Sequence, residues 1–149
     1  SNQDSNRRTG GFPLNIKVEI EKTRDGFGLE AHGNWCDIIM PEQTILRKGK
    51  YIEIPLGFKT NIPDGYEGHL LPRSSSFRKY GIICANQMGI VDSDYNNEWF
   101  AFVLPTKDAV IPKGSRVFQF TICKTIYPDY TFSKLSRKSD RGMSGSSGY

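Results

Sequence analysis

Short runs of alternating apolar and polar residues, each closed by a turn marker, restrict what this chain can fold into more than any other feature. From Asn15 onward, Ile16, Val18 and Ile20 alternate with Lys17, Glu19 and Glu21, the period of a strand with one buried face. Comparable β patterns recur at 52–54, 58–60, 69–71, 81–84, 100–104 and 117–122. Pro41, Arg47-Lys48-Gly49-Lys50, Pro63-Asp64-Gly65, Asn96-Asn97 and Pro112-Lys113-Gly114 separate them. No stretch of ten or more residues carries a 3.6-residue apolar period, and there are no internal repeats. The pattern predicts an all-β sandwich or barrel.

With 149 residues the chain suits a single domain that buries one core. Ser1 to Gly11 reads as a flexible arm (1–11), followed by a β-domain (12–132) and a flexible tail (133–149). The longest apolar run is far too short for a bilayer and no signal peptide is visible, so no membrane partner is expected. Three cysteines without paired spacing, Cys36, Cys84 and Cys123, point to reduced thiols and a cytoplasmic setting. His32-x-x-x-Cys36 has no second ligand pair and reads as chance spacing. The net charge of +4 permits nucleic-acid binding, but the basic residues form neither a block nor a helical stripe. Lys134, Arg137, Lys138 and Arg141 instead flank a glycine-rich tail, which suits a small polyphosphate.

Four segments carry chemistry. Residues 86–98 read as a hairpin that holds Asn86, Asp92, Asp94 and Tyr95, with backbone groups able to read a flat heterocycle and Tyr95 as its wall. Extended backbone would aim Asp92 and Asp94 to opposite faces, leaving one acid free for chemistry. An Asp/Asn-rich turn is the plain alternative. Leu71-Pro72-Arg73-Ser74-Ser75-Ser76 follows a guanidinium with three hydroxyls, a set suited to phosphate, or else a polar loop with a surface arginine. In 114–122, Phe118, Phe120 and Ile122 share one strand face and Gln119 takes the other. Asp140-Arg141-Gly142-Met143-Ser144-Gly145-Ser146-Ser147-Gly148 could fold over a phosphate chain; alone it would read as a disordered terminus.

In order and spacing these segments resemble the trimeric dUTP nucleotidohydrolases (dUTPases), in compact phage-like form. Pro72-Arg73-Ser74-Ser75 is similar to the family's second motif, Gly89-Ile90-Val91-Asp92-Ser93-Asp94-Tyr95 to its third, Gly114-Ser115-Arg116-Val117-Phe118-Gln119 to its fourth, and the tail to its fifth. The first motif falls on Gly26-Phe27-Gly28-Leu29 or on Asn34-Trp35-Cys36-Asp37-Ile38. We assign it to Trp35–Ile38, which retains the acid and lies eighteen residues (Asp37 to Pro55) before Pro55-Leu56-Gly57. A surface carboxylate is the alternative for Asp37, and Glu30 is the fallback acid.

The resemblance implies a jelly-roll homotrimer in which Asp92 activates water against the α-phosphorus of dUTP. Arg73 would hold that acid and its surroundings in place, with Ser74 and Ser75 on the phosphates. Asn86, Gly89, Ile90, Val91 and Tyr95 would form the nucleoside pocket, and Arg141, Gly145, Ser146 and Ser147 a closing tail. Gln119 would touch phosphate oxygens and, with Asp37, reach Mg²⁺ through water. Tyr95 would pack under the sugar, or else be a core aromatic. The chain departs from the pattern at Ser144, where most members carry a stacking Phe, and at Asn97, where they carry Gly. Tyr149 could substitute for the Phe. Two alternatives stand beside the leading one: a dCTP deaminase, disfavoured by Asp92-Ser93-Asp94-Tyr95, and a dUTPase-like regulator that binds a protein.

Overall fold

The computed structural model describes residues 15–136. Twelve strands and one short helix follow in order: β1 (Glu19–Lys22), β2 (Gly28–His32), β3 (Trp35–Ile39), β4 (Thr44–Leu46), β5 (Ile52–Pro55), β6 (Phe58–Asn61), β7 (Tyr66–Pro72), α1 (Ser76–Tyr80), β8 (Ile82–Cys84), β9 (Gly89–Val91), β10 (Phe100–Pro105), β11 (Ala109–Ile111) and β12 (Arg116–Lys124). Every pairing is antiparallel. The sheets run β1-β6, β5-β10-β8, β11-β4 and, as the largest, β2-β3-β12-β7-β9.

Period-two sequence becomes period-two burial where both neighbours are present. Along β10, Ala101, Val103 and Pro105 are buried while Phe100, Phe102 and Leu104 face outward. At the core Phe58 stacks on Phe27 at 4.6 Å and on Trp99 at 4.8 Å, and Phe120 meets the Trp99 ring edge-on at 5.2 Å. The indole Nε1 donates to Thr60 Oγ1 at 3.0 Å, so the buried ring leaves no polar atom unpaired. Gly68 has no side chain because a Cβ there would stand 2.7 Å from the Trp99 ring.

Two sequence expectations change. The strand expected from Asn15 begins only at Glu19, and all four of its residues are exposed. Its single partner among the described residues is β6, which leaves Ile20 exposed. The 86–98 segment is not a self-paired hairpin. Gly89–Val91 pairs with β7, and a turn closed by Tyr95 N–H on Asp92 C=O at 3.1 Å follows it. Asp92 and Asp94 are both exposed on that turn rather than held on opposite strand faces.

Glu98 fastens the turn region to the amino-terminal strands. It accepts from Thr23 Oγ1 (2.6 Å), Arg24 Nε (2.9 Å) and Gly57 N–H (3.1 Å), while Arg24 also reaches Glu42 at 2.9 Å. Burial alone would raise the Glu98 pKa; the Arg24 and Thr23 hydrogen bonds outweigh it and hold the carboxyl below its ordinary 4.5. A depressed folded pKa stabilises the fold above the unfolded value, and that contribution is lost as pH falls through the folded one. Glu98→Gln should cost about 2 kcal/mol near neutral pH. Its melting temperature should also fall less steeply in acid than that of the parent, as checked by thermal denaturation from about pH 3 to about pH 8.

Candidate active site

The register of the five-stranded sheet lines up the polar residues singled out from sequence. Glu30 pairs with Asp37, Asp37 with Gln119, and Gln119 with Leu71, so four strands contribute to one row. Because strand side chains alternate, Asp37 and Gln119 share the face opposite Phe118 and Phe120.

Arg73 is placed by a bulge. Between Arg116 and Phe118 the β12–β3 register shifts, and Val117 is the extra residue. Its carbonyl accepts the Arg73 N–H at 2.9 Å and the Ser76 hydroxyl at 2.6 Å, while Arg73 Nη1 donates to the Arg116 carbonyl at 3.3 Å. Ser76 is buried and opens α1, with Ser75 at the cap position and Ser74 exposed. Of the three hydroxyls, Ser76 therefore holds the loop together, a role that sequence alone did not separate from phosphate contact.

Arg73 Nε lies 3.4 Å from Asp37 Oδ2, and His32 Nε2 lies 3.2 Å from the same oxygen. Neither contact has hydrogen-bond geometry, so this oxygen of a 3 % exposed residue is compensated by charge yet has no hydrogen-bond partner. Gln119 Nε2 donates to the Pro72 carbonyl at 3.2 Å, which leaves its amide oxygen as the available group. An orphaned carboxylate oxygen beside an amide oxygen fits a hydrated hard cation such as Mg²⁺. Among the described residues no cluster of three or more His, Cys, Asp or Glu side chains could hold a metal by itself, so waters and a bound phosphate chain would complete the shell. Arg116 pairs with Glu30 at the rim of the row. Neither His32 nor Glu30 was assigned beside Asp37 from spacing, because the β2–β3 register, not the linear sequence, brings them there.

A second feature lies at the sheet's edge. A cavity of about 100 Å³ is lined by Asn86, Gly89, Ile90, Val91 and Tyr95, with Trp99, Phe100 and Phe102 as apolar walls. β9 is the edge strand, so its outer backbone groups have no ladder partner. The Tyr95 hydroxyl donates to the Glu98 carbonyl at 2.6 Å and the ring packs against the core. Burial, then the Glu98 charge, pushes the Tyr95 phenol up, so it stays protonated.

The two features are far apart within one chain. Val91 sits opposite Gly68, five residues before Arg73 on β7, and Asp92 continues away from Arg73. At about 3.3 Å per residue the separation is about 20 Å. Asp92 instead borders a cleft with Asp64, Tyr66 and Glu67. The sequence reading grouped Asp92, Arg73 and Asp37; the single chain unites only Arg73, Asp37 and Gln119. Arg141, Ser144, Gly145, Ser146, Ser147 and Tyr149, like the 1–11 arm, lie outside the described residues. Ser76→Ala should cost about 1 kcal/mol, since Val117 keeps the Arg73 amide as a donor, and chemical denaturation would measure it.

Comparison with known proteins identifies the family. The dUTPase family profile matches residues 36–148. The SPbeta prophage-derived deoxyuridine 5'-triphosphate nucleotidohydrolase of Bacillus subtilis (strain 168) is 33% identical over 141 residues, covering 91% of this chain and 99% of the relative. The deoxyuridine 5'-triphosphate nucleotidohydrolase of Rickettsia typhi is 33% identical over 139 residues, covering 87% and 94%. Among solved structures, the dUTPase of Staphylococcus bacteriophage 80alpha with dUPNHPP superposes with a TM-score of 0.77 at 19% identity, covering 91% of this chain and 100% of that one. That work describes phage dUTPases as controlling the transfer of virulence genes. The dUTPase of phage phi11 of S. aureus, described with a structural Mg(II) ion, gives 0.71 at 14% identity, covering 81% and 99%. With its all-β jelly-roll fold and this match across most of its length, the chain belongs to the dUTPase family of nucleotide hydrolases.

Proposed function

We propose that this chain hydrolyses dUTP to dUMP and pyrophosphate, in a site that each copy completes with residues of another. The observation that supports this reading most is the division of labour on the sheet. An arginine beside a buried carboxylate stands at one end of β7, and the pocket bordered by the Asp92 turn stands at the other.

In this mechanism the exposed Asp92 carboxylate accepts the proton of the water that attacks the α-phosphorus. Arg73, fixed by the Val117 carbonyl, orients the acid that a neighbouring copy brings to it, and Ser74 and Ser75 donate to phosphate oxygens. Asp37 and Gln119 would hold a Mg²⁺ ion through water, and the ion would supply positive charge to neutralise the triphosphate. The free edge of β9 pairs with uracil. Cytosine would leave those groups unpaired, a difference worth about 10⁴-fold. Tyr95, held by Glu98, stands against the sugar and leaves no room for a ribose 2′-hydroxyl. Arg141, Gly145, Ser146 and Ser147, which lie outside the described residues, are assigned to the outer phosphates. The assembly is a homotrimer, acting in the cytoplasm without membrane or nucleic acid.

Because Asp92 lies about 20 Å from Arg73 of its own chain, no water on that carboxylate reaches a phosphate on that arginine. Asp92→Asn and Arg73→Ala should each lose nearly all activity alone. Unfolded and refolded as an equal mixture, they should recover about one quarter of parental activity, since half the chains supply each intact residue at random. Recovery of nothing would refute the shared site. Pyrophosphate release with Mg²⁺ should be selective for dUTP over UTP, dCTP and dTTP; deamination of dCTP would instead establish the deaminase. Similarity to the 80alpha dUTPase favours one second reading, a regulator that binds a protein, which silence on all four nucleotides would support.

A further inference from the structure

The sheet's outer face carries a thiol, an imidazole and a carboxylate in contact, of which only Glu67 also borders the Asp92 cleft. Glu67 and His69 are two residues apart on β7 and share a face, and the register sets Cys123 of β12 opposite Glu67. His69 Nε2 lies 2.5 Å from Glu67 Oε2, and His69 Nδ1 lies 3.5 Å from Cys123 Sγ. A carboxylate only accepts, so Nε2 carries the hydrogen. In the neutral ring Nδ1 is then the acceptor, and it faces the thiol. This is the order of nucleophile, base and orienting acid that activates a weak nucleophile.

Exposure separates this cysteine from the others. The His69 and Glu67 side chains are 22 % and 29 % exposed, and Cys123 is half-buried. Cys84 is buried, which pushes its thiol up to about 11. Burial, and then the Asp37 charge, also pushes Cys36 up. Among the described residues neither has an imidazole within hydrogen-bond reach, so both remain poor nucleophiles.

We propose that Cys123 is a base-assisted modification site that exchanges with low-molecular-weight disulfides. The Sγ proton passes to His69 Nδ1, and Glu67 stabilises the imidazolium through Nε2–H. The thiolate attacks one sulfur of the small disulfide, forming a new S–S bond as the old one breaks. The departing thiolate keeps that electron pair and takes the proton back from His69, leaving as a free thiol. Cys123 is oxidised to the disulfide level and half of the reagent is reduced, so electrons balance without a further reactant.

The test treats the folded full chain with bis(2-hydroxyethyl) disulfide and follows the adduct on each cysteine by peptide mass spectrometry. Cys123 should react at least about tenfold faster than Cys36 or Cys84. His69→Gln should remove that advantage while leaving the Cys36 rate unchanged, and Glu67→Gln should lower it in part. The Cys36 rate reports intact packing in each variant, and Glu67→Gln decides the matter where His69→Gln fails to fold. Reaction at Cys123 no faster than at Cys36, or rates at Cys123 unaffected by both substitutions, would overturn the proposal. The His69→Gln outcome does not bear on dUTP hydrolysis, since His69 lines neither the pocket beside Tyr95 nor the cleft at Asp92.

Discussion

β12 hydrogen-bonds along both edges, to β3 on one side and β7 on the other, and that double pairing decides which side chains face the core. Phe118 and Phe120 go inward and Gln119, Thr121 and Cys123 take the other face. A slip of one residue would exchange the two sets. Exposing two buried phenylalanines costs about 3–6 kcal/mol, a large part of the 5–15 kcal/mol that holds an ordinary domain together. The pairing of Asp37 with Gln119 is thus enforced by the hydrophobic effect acting on neighbours of Gln119, not by any attraction between the two polar groups.

The Val117 bulge adds what regular pairing cannot. Pro72 ends β7 without an N–H, and the carbonyl of the bulged residue takes up Arg73 and Ser76 just beyond it. The guanidinium is thereby carried on fixed backbone to a carboxylate that is itself locked in a central strand. Asp37 bears the cost of burial with one oxygen left without a hydrogen bond, tolerable because the Arg73 guanidinium lies 3.4 Å away. Such an oxygen gains on meeting a hydrated cation, since ordering the site has already been done by folding.

Strand identity was legible wherever alternation coincided with a partnered strand, as in β5, β6, β8, β10 and β12. Alternation fails in two physical situations. Ile16 and Val18 alternate as well as any segment and are half-buried, Val18 against the core, yet the paired strand starts only at Glu19 and its own residues stay exposed. At β12, a strict period would turn Val117 outward, whereas the bulge buries it next to Phe118. For the site, Asp37, Arg73 and Gln119 were identifiable from motif order. Their neighbours His32 and Glu30 were not, because cross-strand register joins them. Residues 86–98 were legible as a turn rich in polar groups but not as an edge strand, since β9 finds its partner in β7 rather than across its own turn.

In the function proposed above, the length of β7 turns this arrangement into a requirement for assembly. A paired strand cannot bend to bring its ends together, so about 20 Å between Arg73 and Asp92 is a fixed property of one chain. Phe100, Phe102 and Leu104 on β10, with Ile83 beside them on β8, form an outward apolar strip that this chain leaves uncovered among its described residues. Phe100 and Phe102 also wall the pocket beside Tyr95. A second copy covering that strip would bury these rings and at the same stroke supply the outer wall of the pocket. In the assembled enzyme proposed above, subunit contact and base recognition would therefore be one event, and the residues that report on oligomer stability would also set nucleotide affinity.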